Sequence, residues 1–231
     1  MTPHISRVYI RNYKSISQAT VALGSLCVFV GPNGAGKSNF VDALAFVQES
    51  LSESLELAFK NRGGIAAVRR RSSGHPTHIG IRLSLELGKD LSADYAFEIA
   101  ARPTERFSIA RERCVVSHLL DKEYRFEARN GEFVEKIPGI RPKVSADRLA
   151  LFVASGTDEY RPVYDFLTSM RFYAIVPSRV RELQDPDPGD YLKRDGSNAA
   201  AVLKRLREEA QGTDRYERVC RLLSKVVEGI R

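Results

Sequence analysis

The 231-residue chain has no tryptophan, only three cysteines and no long apolar run. Each shortage excludes something. Cys27, Cys114 and Cys220 are odd in number and far apart, which excludes a disulfide scaffold and suits reduced thiols in a cytosol. A zinc centre would need closer pairs. His75 and His78 form an H-x-x-H in a Gly/Ser/Pro stretch with no further ligand beside them. The longest apolar run, around Leu23–Val30, is broken by Gly24 and Ser25. It falls well short of the ~20 residues that span a bilayer. The first residues, Met-Thr-Pro-His-Ile-Ser-Arg, already alternate like a strand, so no secretory signal is expected. These readings together predict a cytoplasmic protein with no membrane partner.

What is present points to a folded domain. The chain is 43% apolar and 28% charged, enough for a core and ordinary for a globular protein. Thirty-six Lys and Arg against 29 Asp and Glu give a net charge of +7. Such a balance attracts phosphate and nucleic acid without naming a partner. The densest basic run is Arg69-Arg70-Arg71, in a stretch from Phe59 to Thr77 rich in Gly, Arg and Ser that reads as a loop. Arg62, Arg69, Arg70 and Arg71 would suit contacts to a nucleic-acid backbone. A solvated loop explains them equally well. No aromatic lies between Arg62 and Thr77, which argues against base stacking there.

Hydrophobic periodicity divides the chain. Ile5–Ile10 alternates as a strand and Gln18–Leu23 as a second. Leu26-Cys-Val-Phe-Val30 is wholly apolar, as a strand covered on both faces would be. Phe40, Leu44, Val47, Leu51 and Leu55 recur at helical spacing. Four alternating runs follow, Ile79–Leu87, Tyr95–Ala101, Phe107–His118 and Tyr124–Phe133, with Asn130-Gly131 as a hairpin signal. They predict an antiparallel meander, in which Glu112 reads as a residue of the solvated strand face. Asp147–Ser155 and Arg161–Ser169 have helical spacing, and Arg171–Val176 reads as a further apolar strand. Ser197 and Asn198 read as the cap of a helix reaching Glu209, and another helix follows Thr213.

The chemistry lies in Gly31-Pro32-Asn33-Gly34-Ala35-Gly36-Lys37-Ser38, which fits G-x-x-x-x-G-K-[ST] between an apolar run and an amphipathic helix. The glycines permit backbone angles closed to other residues, so that successive N–H groups face a phosphate. The helix start adds its positive dipole end. Lys37 brings a full charge to the β- and γ-phosphates, and the Ser38 hydroxyl would ligate Mg²⁺. ATP and Mg²⁺ are the expected ligands.

Arg11-Asn-Tyr-Lys-Ser-Ile16, a short strand, and Val30-Gly-Pro-Asn-Gly-Ala-Gly-Lys-Ser-Asn39-Phe-Val-Asp-Ala-Leu44 resemble the opening of ABC-type ATPases of the RecF/SMC/OLD group. The remainder is similar, more loosely, to bacterial AAA-type ATPases of that group, many of them found in phage defence. The resemblance implies an α/β fold: a P-loop half-domain of an ABC-ATPase head with an attached antiparallel β-meander. It implies a P-loop subdomain over 1–59, a meander over 60–135 and a mixed strand and helical segment over 136–231. It implies that Asn33 reaches the γ-phosphate, that Asn39, Lys14 and Ser15 sit near the nucleotide, and that the Arg11–Tyr13 strand end borders the base. Gln184 would be a mobile glutamine contacting Mg²⁺. The group's partners would be a C-terminal half or second ATPase head, a homodimer in the complete protein, with DNA and a nuclease.

That group also carries a Leu-Ser-x-Gly signature and an apolar strand ending in Asp-Glu. Asp158-Glu159 follows Ala-Ser-Gly-Thr, which is not such a strand, and Phe172–Val176 ends in Pro-Ser. The expected function is therefore ATP binding by an N-terminal lobe, in DNA repair or anti-phage defence, with hydrolysis left to the complete protein. A non-catalytic DNA-binding or regulatory module with a vestigial loop, and a P-loop kinase, remain alternatives.

Overall fold

A computed structural model describes residues 2–71, 78–102, 106–118, 122–135, 147–209 and 213–226. The chain divides into two compact units, residues 1–170 and 171–231. The first is built on one seven-stranded antiparallel sheet. Its strands are β1 (His4–Tyr13), β2 (Ile16–Ala22), β3 (His78–Glu86), β4 (Leu91–Ala101), β5 (Phe107–His118), β6 (Glu123–Arg129) and β7 (Glu132–Glu135). They lie in the order β2-β1-β3-β4-β5-β6-β7. From β3 onward this is the expected meander, turned at its end by Asn130 and Gly131, both at positive φ. β1 and β2 belong to the same sheet, because Val8 pairs with Leu83 and Ile10 with Ile81.

Alternation gives the sheet two unlike faces. Val8, Ile10, Ile81, Leu83, Tyr95, Phe97, Cys114 and Phe126 point inward and are buried. The helices of this unit are α1 (Lys37–Ser52), α2 (Leu55–Lys60), α3 (Ile65–Val68), α4 (Ala150–Ala154) and α5 (Arg161–Ser169). An aromatic chain stitches helix to sheet: Tyr13 to Phe46 at 5.8 Å, Phe46 to Phe59 at 5.0 Å and Phe59 to Phe107 at 4.9 Å. Each such side chain contributes roughly 1.5–3 kcal/mol through burial. The Tyr164 hydroxyl donates to the Leu51 carbonyl at 3.3 Å and ties α5 to α1.

Several expectations fail here, each for a physical reason. Leu26–Val30 is not a strand, and Leu26, Val28 and Val30 are 83%, 77% and 88% exposed. A strand exists by its ladder, and no described strand lies alongside this run. Arg171–Val176 is not a strand either. Its amides at Ala174 and Val176 bond singly to the carbonyls of Arg194 and Asp195, at 2.8 and 3.0 Å. The described sheet is therefore antiparallel throughout, and the parallel order typical of a P-loop core is absent from the described residues. The helix after the glycine loop stops at Ser52. Leu55 opens α2 instead, where the Ser54 hydroxyl accepts from the Leu57 amide at 3.1 Å. The stretch read as a loop from Phe59 is largely ordered by α2, α3 and an isolated bridge between Tyr13 and Arg69. Residues 72–77 of it, with His75, lie outside the described residues.

The second unit holds α6 (Pro177–Arg181), α7 (Ala199–Glu208) and α8 (Thr213–Val226). Asn198 occupies the N-cap position of α7, as expected, but its side chain makes no cap hydrogen bond. Its buried amide organises the preceding loop, donating to Asp187 at 2.9 Å and to the Tyr191 carbonyl at 2.8 Å, and accepting from the Lys193 amide at 2.7 Å.

Candidate functional site

The glycine-rich loop opens onto the first turn of α1. Gly34 and Gly36 adopt φ of 84° and 92°, a left-handed conformation that side-chain-bearing residues rarely take. Gly36 is the N-cap and offers no side chain to the free amides of the turn. That turn holds no acidic residue. Its N–H groups and dipole are thus left for an external anion.

Lys37 folds back over the loop, donating to the carbonyls of Gly31 at 2.7 Å and Pro32 at 2.9 Å. An entering phosphate would replace these two neutral acceptors with anionic ones. The β1–β2 turn borders the loop directly. A Cβ on Gly36 would meet the Ser15 Oγ at 3.4 Å, and the Asn39 amide donates to that same oxygen at 2.7 Å. Ser15, Gly36, Lys37 and Asn39 are therefore brought together. Asn33 and Ser38 are exposed on the loop and helix start. The turn itself is fixed from behind. Lys14, at φ 47°, donates its amide to the Val68 carbonyl at 2.7 Å, and the Arg70 amide donates to Asn12 at 3.0 Å.

Below the loop sits a charge network that sequence reasoning missed. Asp42 accepts from the Tyr13 hydroxyl at 2.7 Å, from Lys14 Nζ at 2.6 Å and from Arg62 Nε at 3.1 Å. Burial would raise the Asp42 carboxyl, but the hydrogen bonds from Lys14 and Tyr13 and the Arg62 charge outweigh it and hold it below its usual range. Burial, then the neighbouring Asp42, push the Tyr13 hydroxyl far up. The signal was available in sequence: Asp42 lies five residues after Lys37, on the first turns of the same helix.

Two site expectations need correction. Arg62 is an internal cation, only 5% exposed, held by Asp42, Glu49 and the Ala58 carbonyl and set over the Phe46 ring. It is engaged inside the fold and not presented to a nucleic-acid backbone. Glu112 is fully buried instead of solvated, receiving the Tyr95 hydroxyl at 2.9 Å and the amides of Ala150 and Leu151. Burial raises its carboxyl to about 7 against those three donors. Its parity with Cys114 and Val116 along β5 was the clue.

Lys14 is spent on Asp42. Arg69 and Arg70 are half-buried and only Arg71 is exposed. Gln184 lies in the second unit, where it accepts from the Ala200 amide at 3.1 Å and donates to Val180 at 3.2 Å. Asp158 and Glu159 lie in a turn between α4 and α5, not at a strand end.

A family model described as an AAA ATPase domain matches residues 4–128, more than half the chain. The chain belongs to that family, as an AAA-family ATPase of the RecF/SMC/OLD-like group. It is thus a nucleotide-binding ATPase by class. A search of curated proteins found no match. No helix among the described residues is long and apolar enough to cross a membrane.

Proposed function

We propose that the chain binds Mg²⁺ and ATP at Gly31–Ser38, as one lobe of an ATPase head that acts on DNA in repair or anti-phage defence. The observation that supports this most is the open N-terminus of α1. Two left-handed glycines expose its amides, and no side chain or carboxylate competes for them. Lys37 would exchange the Gly31 and Pro32 carbonyls for phosphate oxygens. Ser38 would hold Mg²⁺, which supplies charge neutralisation of the phosphates when bound. Asn33 would face the γ-phosphate. Ser15 and Asn39, already bonded to each other beside Gly36, would border the phosphates. Lys14 would join them only by leaving Asp42. A C-terminal half or a second head, and a nuclease, would be the protein partners.

Fluorescent ATP titrated with and without Mg²⁺ tests this. Ser38→Ala should remove most of the Mg²⁺-dependent gain in affinity while leaving metal-free binding. An unchanged gain would remove Ser38 from the site.

The placement of Asp158 and Glu159 in a turn favours a second reading, a module that binds nucleotide without cleaving it. No described strand runs into an Asp-Glu pair. Phosphate release by the purified chain should stay near background. Robust turnover that Glu159→Gln abolishes would make Glu159 the water-positioning residue and reject this reading.

A further inference from the structure

Asp42 lies outside the glycine loop, yet it grips the one cation of the β1–β2 turn, Lys14. We propose that Asp42 is a positioning residue: it keeps Lys14 withdrawn in the nucleotide-free chain and yields it to the phosphates when ATP enters, so that this ion pair sets nucleotide affinity. The proposal rests on the reading that ATP binds at Gly31–Ser38.

Helix and turn are matched residue for residue. Asn39 and Asp42 stand three apart on α1 and so share a face. Asn39 donates to Ser15 Oγ at 2.7 Å, and Asp42 accepts from Lys14 Nζ at 2.6 Å. The two side chains thus clasp consecutive residues of the turn. Ser15 lies against Gly36, the N-cap of α1, where a Cβ would stand 3.4 Å from its Oγ. Lys14 is therefore one residue from the amides left open for an anion. Its backbone is fixed at φ 47° by the bond from its amide to the Val68 carbonyl at 2.7 Å. Only the flexible stem of the side chain has to swing to move the ammonium group from carboxylate to phosphate.

The network also decides which cation can leave. Arg62 is 5% exposed and is shared among Asp42, Glu49 and the Ala58 carbonyl. Lys14 is 28% exposed, and Asp42 is its one ion-pair partner among the described residues. When Lys14 departs, Asp42 keeps the Tyr13 hydroxyl at 2.7 Å and Arg62 Nε at 3.1 Å. The carboxylate is then not stranded without a counter-charge, which is what makes breaking a buried pair so costly. Lys14 exchanges one carboxylate for a polyanion with several charged acceptor oxygens. The gain is reduced by whatever the grip of Asp42 is worth.

The test is a double-mutant cycle on ATP affinity, read by calorimetry with Mg²⁺ on the full chain. Asp42→Asn keeps the size of the side chain and removes its charge. With Lys14 present it should raise ATP affinity about three- to tenfold, a coupling usual within one ion-pair network. Lys14→Met, which keeps an unbranched apolar stem, should lower affinity. Added to Lys14→Met, Asp42→Asn should gain less than about twofold. A gain of equal size in both backgrounds would be a through-space charge effect and overturns the proposal. So does an unchanged or lower affinity in a folded Asp42→Asn.

If Asp42→Asn does not fold, the wild type decides. NMR of the chain carrying isotope-labelled lysine follows the Lys14 side chain, assigned as the signal missing from Lys14→Met. That signal should shift with tripolyphosphate and stay in place with adenosine. A Lys14 signal indifferent to tripolyphosphate, in a chain that binds ATP, overturns the proposal and leaves the nucleotide site standing. A wild type that binds neither ATP nor tripolyphosphate overturns both.

Discussion

The covered face of the sheet and the run leading into the glycine loop have similar composition and opposite fates. Leu83, Leu85 and Val116 stand on paired strands and are essentially inaccessible, while Leu26, Val28 and Val30 are mostly exposed. Apolar content marks a need for burial. Only a hydrogen-bonded neighbour and a packed helix layer satisfy it. Substitution should break the two regions apart. Phe46→Ala, in the aromatic chain of α1, should cost about 3–5 kcal/mol through lost burial and the cavity left behind. Val28→Ser should cost less than about 0.5 kcal/mol, as at other exposed positions. Urea denaturation of both variants checks this. Equal losses would mean that residues 26–30 are packed in solution.

The charge network under the loop should behave like the covered face. Arg62→Ala leaves the half-buried Glu49 without its cation and Asp42 with Lys14 alone, and should cost about 3 kcal/mol. In contrast, Arg161→Ala, which breaks an exposed pair with Asp165 on α5, should cost less than about 0.5 kcal/mol. Thermal melts of the two variants provide the comparison.

A third test uses pH. Glu112 is held at about 7 in the folded chain, above its usual value of 4.5. The folded state therefore binds the extra proton between those values. Its contribution is fully present below about pH 4.5 and is lost as pH rises through 7. Asp42, held low, works in the opposite sense: its contribution is present above its ordinary value of 3.8 and lost as pH falls further. Between pH 5 and 7 Glu112→Gln should remove a decline in stability that the wild type shows. A decline of the same slope in the variant would assign it to another group. Ser54→Ala should cost about 1 kcal/mol in the same melts, from loss of the α2 cap.

The same contrast explains how much was legible in the sequence. β3 to β7 followed from period-two alternation and from Asn130-Gly131, because both signals are local. The face of α1 followed from the spacing of Phe40, Leu44, Val47 and Leu51, all buried. The glycine loop followed from a motif whose spacing is fixed by the ligand it would cradle. Pairings between distant residues were not legible. Asn12 donates to the His78 carbonyl 66 residues away, and nothing near either residue announces it. Arg62 looked like a surface arginine because its partners, Asp42 and Glu49, lie on α1, 20 and 13 residues earlier. Glu112 was legible by parity and was misread by composition, since a carboxylate usually marks the solvent side of a strand.

Nucleotide binding at Gly31–Ser38 is the central claim, and calorimetry of ATP with Mg²⁺ on the wild type and Lys37→Ala tests it most directly. Lys37 bonds only neutral carbonyls of its own loop, and α1 keeps its N-cap at Gly36, so the variant should fold and melt like the wild type. Removing the charge that would face the phosphates should lower affinity at least tenfold, more than about 1.4 kcal/mol. Equal ATP affinity in two equally folded proteins would contradict the assignment.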